Sequence, residues 1–233
     1  MCYFIPMNRG GTSITRRAFL TSALTALGGF ALADGTTAKR RKPRTGVQLY
    51  SVRTLCEKDL PGTLRALKAM GYDGVQCGGF FGRSAKELRT LFADHGLAAA
   101  GVQMQADKIV KPENLAASVA FAQELGAPYL FVPWFDAPDA DGWKRFAAQM
   151  SEAALAFKAA GLRLGYHNHQ HEFRDTFGGV CKWDILYQNA SPDLCQQLDL
   201  GHCLLAGEDP AFWLKKYPNR NPAVHVKIGR AHV

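Results

Sequence analysis

The sequence predicts an α/β fold, a (β/α)8 TIM barrel with seven β/α units present and the eighth strand missing. Three observations predict it. Short apolar runs alternate with segments of helical period, and a turn signal marks each join, which is the pattern of a parallel sheet. No glycine-rich dinucleotide fingerprint follows the first strand, so a closed barrel is favoured over a doubly wound sheet. Three successive late strands end in metal-ligating or proton-moving residue types, and in such barrels the chemistry sits at the C-terminal ends of strands.

The elements follow in order. The run GVQLYSV (Gly46–Val52) is expected as a buried strand, and Leu60–Met70 as a helix closed by Gly71. DGVQCGG (Asp73–Gly79) is strand two. Ser84–His95 is a helix with Ser84 as N-cap and Glu87 three residues on, a capping-box pattern ended by Gly96. Strand three is Leu97–Met104, helix three is Asn114–Leu125 before Gly126, and strand four is PYLFVPW (Pro128–Trp134). A long amphipathic helix spans Asp141–Ala160 and stops at Gly161. Strand five is LGYHNHQHEF (Leu164–Phe173), strand six LCQQLDL (Leu194–Leu200) and strand seven AVHVK (Ala223–Lys227), with helices at Trp183–Asn189 and Pro210–Lys216. Gly178-Gly179 reads as an ordinary turn.

The count runs short. A barrel of this class takes ~250 residues, and only 188 remain from Gly46 onward. The last six residues, Ile228 to Val233, show no strand pattern and read as the translation of a sequencing-library adapter. They are expected to be a non-native tail, and His232 is given no function.

The formal charge of +8 is concentrated at the front. Residues 1–45 hold eight basic side chains and one acid, which leaves +1 for the rest. A nearly neutral domain argues against a groove for nucleic acid. Thr15-Arg16-Arg17-Ala18-Phe19-Leu20 resembles a twin-arginine export motif, an alanine-rich apolar run follows, and Ala31-Leu32-Ala33 is an A-x-A cleavage pattern. Residues 1–33 are therefore expected to be a signal peptide, 34–45 a basic linker and 46–227 the barrel. The expected destination is the periplasm or the exterior, with the membrane met only in transit. The cysteines show no C-x-x-C spacing, and buried thiols are expected rather than a disulfide framework.

Alternation in LGYHNHQHEF would put His167, His169 and His171 on one side of a strand and Asn168 on the other. Asp199 and His202 close strand six; His225 and Lys227 close strand seven. One inward histidine is usually a hydrogen-bonded core residue. Several together with a carboxylate, which needs a partner inside an apolar strand, point to a site. Glu172 is the candidate base, with His169 as its partner or a substrate contact. Tyr50 and Trp134 end strands and suit either sugar stacking or core packing.

These residues carry a resemblance. GVQLYSVR, GYDGVQ, YHNHQHEF, QLDLGH, DPAFWLKKYPNR and VHVK, in that order, resemble the sugar phosphate isomerase/epimerase family. These are the xylose isomerase-like TIM barrels of the AP endonuclease 2 superfamily, which include endonuclease IV. The resemblance implies a divalent metal held from strands five to eight. Asp199 and His225 match the family's strand-six aspartate and strand-seven histidine ligands, and His167 stands where many members carry a glutamate. His202 is implied as a substrate contact or second-metal ligand, and Lys227 as a residue near the substrate. The strand-eight glutamate has no counterpart here. Asp and His donors suit Mn, Zn, Fe or Co more than Ca, and Mg stays among the expected ions. The implied activity is sugar or keto-sugar isomerisation or epimerisation on a small-molecule substrate, by proton removal next to a carbonyl. The alternatives are a keto-glycoside lyase or hydratase on the same site, an endonuclease IV-like phosphodiesterase, and a non-catalytic sugar-binding module.

Overall fold

The computed structural model describes residues 2–4 and 43–227. The expected non-native tail, and the signal peptide and linker apart from residues 2–4 and 43–45, lie outside the described residues. Strand β1 is Cys2–Phe4 and β2 is Arg44–Gln48, so the barrel starts two residues before Gly46. Leu49–Val52 leaves the sheet as a 3-10 turn, shortening the expected first strand. Helix α1 (Arg53–Ala69) begins earlier than the Leu60 predicted. It breaks at Asp59, where the chain must accommodate the proline ring of Pro61, and Asp59 Oδ1 accepts from Gly62 N at 2.9 Å to restart it.

From β3 (Gly74–Cys77) onward the predicted order holds. Helix α2 (Ala85–Asp94) carries the capping box in full, Ser84 accepting from Glu87 N and Glu87 from Ser84 N. Strand β4 (Ala98–Gln103), the short α3 (Asp107–Val110), α4 (Pro112–Leu125), β5 (Tyr129–Val132) and α5 (Ala140–Ala159) follow. Strand β6 is Arg163–His167, α6 is His171–Arg174, and a small hairpin pairs β7 (Thr176–Phe177) with β8 (Val180–Cys181). Then come α7 (Lys182–Asn189), β9 (Cys195–Asp199), α8 (Leu200–Leu205), α9 (Pro210–Lys216) and β10 (Ala223–His225).

Seven parallel strands curl in the order β2-β3-β4-β5-β6-β9-β10, an incomplete (β/α)8 barrel. The eighth place is bridged by β1, antiparallel to both β10 and β2. Strands β3, β5 and β9 are buried along their whole length, as sheets covered on both faces require. The main core lies between sheet and helices, where Trp143, Phe146, Tyr166 and Trp183 are fully buried. A second, smaller core of Tyr129, Phe131, Cys195 and Ala223 fills the barrel interior. Interior positions two residues further along β9 and β10 are polar: Gln197 and His225. The site therefore sits on an apolar floor.

Among the described residues no helix is long and apolar enough to cross a membrane. The five described cysteines are free thiols, as expected, and burial pushes Cys77 and Cys203 up to about 12.

Candidate metal centre

Strand register brings the three strand-end ligand candidates together. Asp199 pairs with His225, and His167 with Gln197, two residues before Asp199 on the same face. Asp199 divides its oxygens. Oδ1 accepts from His202 N at 2.9 Å and caps α8. Oδ2 is buried and accepts no well-aligned hydrogen bond. It faces Lys227 Nζ at 3.0 Å, His225 Nδ1 at 3.6 Å and His167 Nε2 at 3.9 Å. His167, Asp199 and His225 each offer one ligand atom within 4.8 Å of the others. Two imidazole nitrogens and a buried carboxylate oxygen within this distance are a donor set that fits a borderline divalent ion.

The electrostatics agree. Burial opposes charge on Asp199, but His225, His167 and Lys227 outweigh it and hold the carboxyl well below its usual range. Burial, helped by His225, drives His167 well below the ordinary imidazole value. Burial and the facing His202 take His169 to about 3. Both present neutral nitrogens, the form a metal or a proton needs. This has a consequence for stability: a histidine whose folded value lies below its unfolded 6.5 stabilises the fold above that pH and loses this as pH falls. The metal-free protein is expected to lose the His169 contribution from pH 6.5 toward 3, read as the difference in urea unfolding between wild type and His169→Gln at each pH. His169→Gln should lack that loss; an unchanged slope would clear His169 of it.

His202, Lys227 and Trp134 stand around this centre, and Tyr50 lies in the turn after β2. His202 is buried, its ring 4.7 Å from His169, with Nε2 against Lys227 Nζ. Gly201 allows this, because a Cβ there would lie 2.7 Å from Lys227 Cβ. Trp134 is half-exposed beside His171 (4.1 Å) and His169 (5.1 Å), so it is a rim residue and not core. Tyr50 is also exposed, its ring under the Arg53 guanidinium at 4.3 Å.

LGYHNHQHEF departs from the expected strand. Only His167 is on β6; His169 lies in the turn and His171 opens α6, so the three imidazoles do not share a strand face. Asn168 ends the strand by bonding the next one, accepting from Asp199 N at 2.7 Å and donating to Asp199 O at 3.3 Å. Glu172, expected as the base, stands apart. It is fully buried, with Oε1 accepting from Tyr166 OH and Oε2 from His169 N, both at 2.7 Å. Tyr166 precedes the inward His167 and faces the helices, so Glu172 braces the turn from outside the barrel. Burial raises its carboxyl to about 7.

Sequence reasoning passed over a set of interior glutamines. Gln48 Nε2 donates to Gln103 Oε1 at 2.6 Å. Gln103 and Gln76 both donate to Gln197 Oε1, at 3.4 and 3.2 Å. Gln76 Oε1 meets His225 Nε2 at 2.7 Å. The signal was present: Gly-Val-Gln recurs at 46–48, 74–76 and 101–103, each time placing an amide inside an apolar strand.

Comparison with known proteins supports the frame. An inosose dehydratase from Clostridium tetani is 33% identical over 92 residues, covering 39% of this chain and 30% of the relative. One from Clostridium perfringens is 27% identical over 179 residues, covering 67% of this chain and 59% of the relative. The chain thus spans less than two thirds of the length of these curated relatives. The crystal structure of a sugar phosphate isomerase/epimerase from Parabacteroides distasonis superposes with a TM-score of 0.68 at 23% identity. That match covers 82% of this chain and 77% of the other, and it bears on fold alone. The profile of the xylose isomerase-like TIM barrel family, AP endonuclease 2, matches residues 64–232, and the chain belongs to that family.

Proposed function

We propose that the chain forms the metal centre of an enzyme that removes a proton next to the carbonyl of a sugar or keto-sugar, isomerising or epimerising it. The observation that carries this reading is the convergence of His167, His225 and Lys227 on the buried Asp199 Oδ2. His167, Asp199 and His225 would hold a divalent ion, Mn, Zn, Co, Fe or Mg, whose contribution is Lewis acidity toward carbonyl and hydroxyl oxygens. His169 and His202 stand beside this centre as neutral imidazoles and are the candidate proton acceptors; bound substrate would have to raise His169 from about 3 toward the working pH for it to serve. Lys227 offers positive charge to a substrate oxygen, and Trp134 and Tyr50 offer exposed rings for a sugar face. The near-neutral barrel speaks for a small polyol over a phosphodiester, and the twin-arginine pattern for a periplasmic or extracellular setting.

A second reading, dehydration, is favoured by the relatives named inosose dehydratase. It starts with the same α-proton, then expels a β-hydroxyl as water instead of returning the proton. Solvent-deuterium exchange into keto-sugars and inososes, followed by NMR with metal-loaded full chain, tests both. Exchange with an epimer or isomer supports the first reading, and exchange with loss of water the second. Metal-loaded protein that exchanges none of them would overturn both, and sugar binding that survives chelation would leave a binding module.

A further inference from the structure

We propose that Gln76 is a positioning residue that holds His225 in its Nε2–H tautomer and so turns Nδ1 toward the metal. The inference rests on the metal reading above and adds to it the device that orients one ligand. Gln76 and His225 are both buried, and Oε1 and Nε2 lie 2.7 Å apart across the interior, 149 residues apart in sequence.

The direction of that bond follows from the neighbours. Gln197 Oε1 accepts from both Gln76 and Gln103, and Gln103 Oε1 accepts from Gln48. If the Gln76 amide were reversed, two carbonyl oxygens would face each other at Gln197. Gln76 therefore presents its amide NH2 to Gln197 and its carbonyl to His225. A carbonyl only accepts, so His225 Nε2 carries the proton and its lone pair is on Nδ1. Nδ1 is the nitrogen that faces Asp199 Oδ2 at 3.6 Å; without a metal that carboxylate favours a proton on Nδ1 while Gln76 favours one on Nε2, so the tautomer reports which neighbour sets the ring. The backbone supports this placement too: the β3–β4 register slips between Val75 and Gln76, an irregularity of the kind that re-aims a side chain. Partners of this type fix ring orientation and typically account for about 10–100-fold in metal affinity.

The test uses full-length protein in two measurements. Nitrogen-15 NMR of the metal-free chain should show His225 as the Nε2–H tautomer, and Gln76→Leu should lose that preference. Calorimetric titration with Co2+ or Zn2+ should show Gln76→Leu weakened by about 10–100-fold. Wild-type protein that binds neither ion would sink the metal reading while the tautomer measurement still decides this one. An Nδ1–H tautomer, or equal affinity in wild type and Gln76→Leu, overturns the proposal. Should the leucine variant fail to fold, the wild-type tautomer decides.

Discussion

Asp199→Asn is expected to cost at least about 100-fold in divalent-metal affinity, because even an outer partner of a ligand accounts for about 10–100-fold. The substitution separates two roles of one side chain. Asparagine keeps an oxygen where Oδ1 accepts from His202 N, so α8 stays capped. It removes the charge on Oδ2, on which Lys227, His225 and His167 converge. The Lys227 side chain is 28% exposed and can turn its ammonium to water, which limits the damage to the fold. Asp199→Ala loses the cap as well and should melt lower, by about 1 kcal/mol of stability. Metal content by mass spectrometry and thermal melting check the pair. If Asp199→Asn retains metal at the wild-type level, Asp199 is an ion-pair partner of Lys227 and the centre lies elsewhere.

Residues that local rules control were legible before the fold was seen. Ser84 and Glu87 sit one helical turn apart and read as a capping box without tertiary information. Asp199 and His225 follow apolar runs and end β9 and β10, so their place needed only the strand period, whereas His202, expected at a strand end, lies in α8 and Lys227 lies two residues past β10. The failures came where distant groups decide local structure. Alternation in LGYHNHQHEF fits a strand through Phe173, yet Asn168 takes its partners from Asp199, 31 residues on. Glu172 then takes the His169 amide, and the chain turns after His167. The start of α1 was obscured by Pro61, which marks a break inside a helix here and not its beginning. The glutamines were hidden for another reason: an amide inside a strand carries no charge or metal-ligand signature, and only the repetition of Gly-Val-Gln marks it.

Glu172→Gln separates a buttress from a base. A carboxyl near pH 7 would suit a general base, and burial raises Glu172 to about that value. Its orientation argues the other way, since both oxygens are engaged by Tyr166 OH and His169 N on the helix-facing side of β6. Glutamine preserves these contacts: its carbonyl accepts from His169 N, and its amide donates to the Tyr166 phenol oxygen while the phenol proton turns to Phe135 O, now 3.3 Å away. The folded value of the glutamate lies above its usual 4.5, so its contribution is full below that pH and is lost as pH rises through about 7. Wild type should therefore lose about 3 kcal/mol relative to Glu172→Gln between pH 4.5 and 8, at about 1.4 kcal/mol per unit. Glu172→Ala orphans the His169 amide, while the Tyr166 phenol keeps Phe135 O, and should cost about 1–3 kcal/mol, most at the acid end. On a substrate the enzyme turns over, Glu172→Gln should keep kcat within about tenfold, whereas removing a true base costs about 100-fold or more. A collapse of kcat with unchanged stability at every pH would restore Glu172 as the base and move the proton transfer away from His169 and His202.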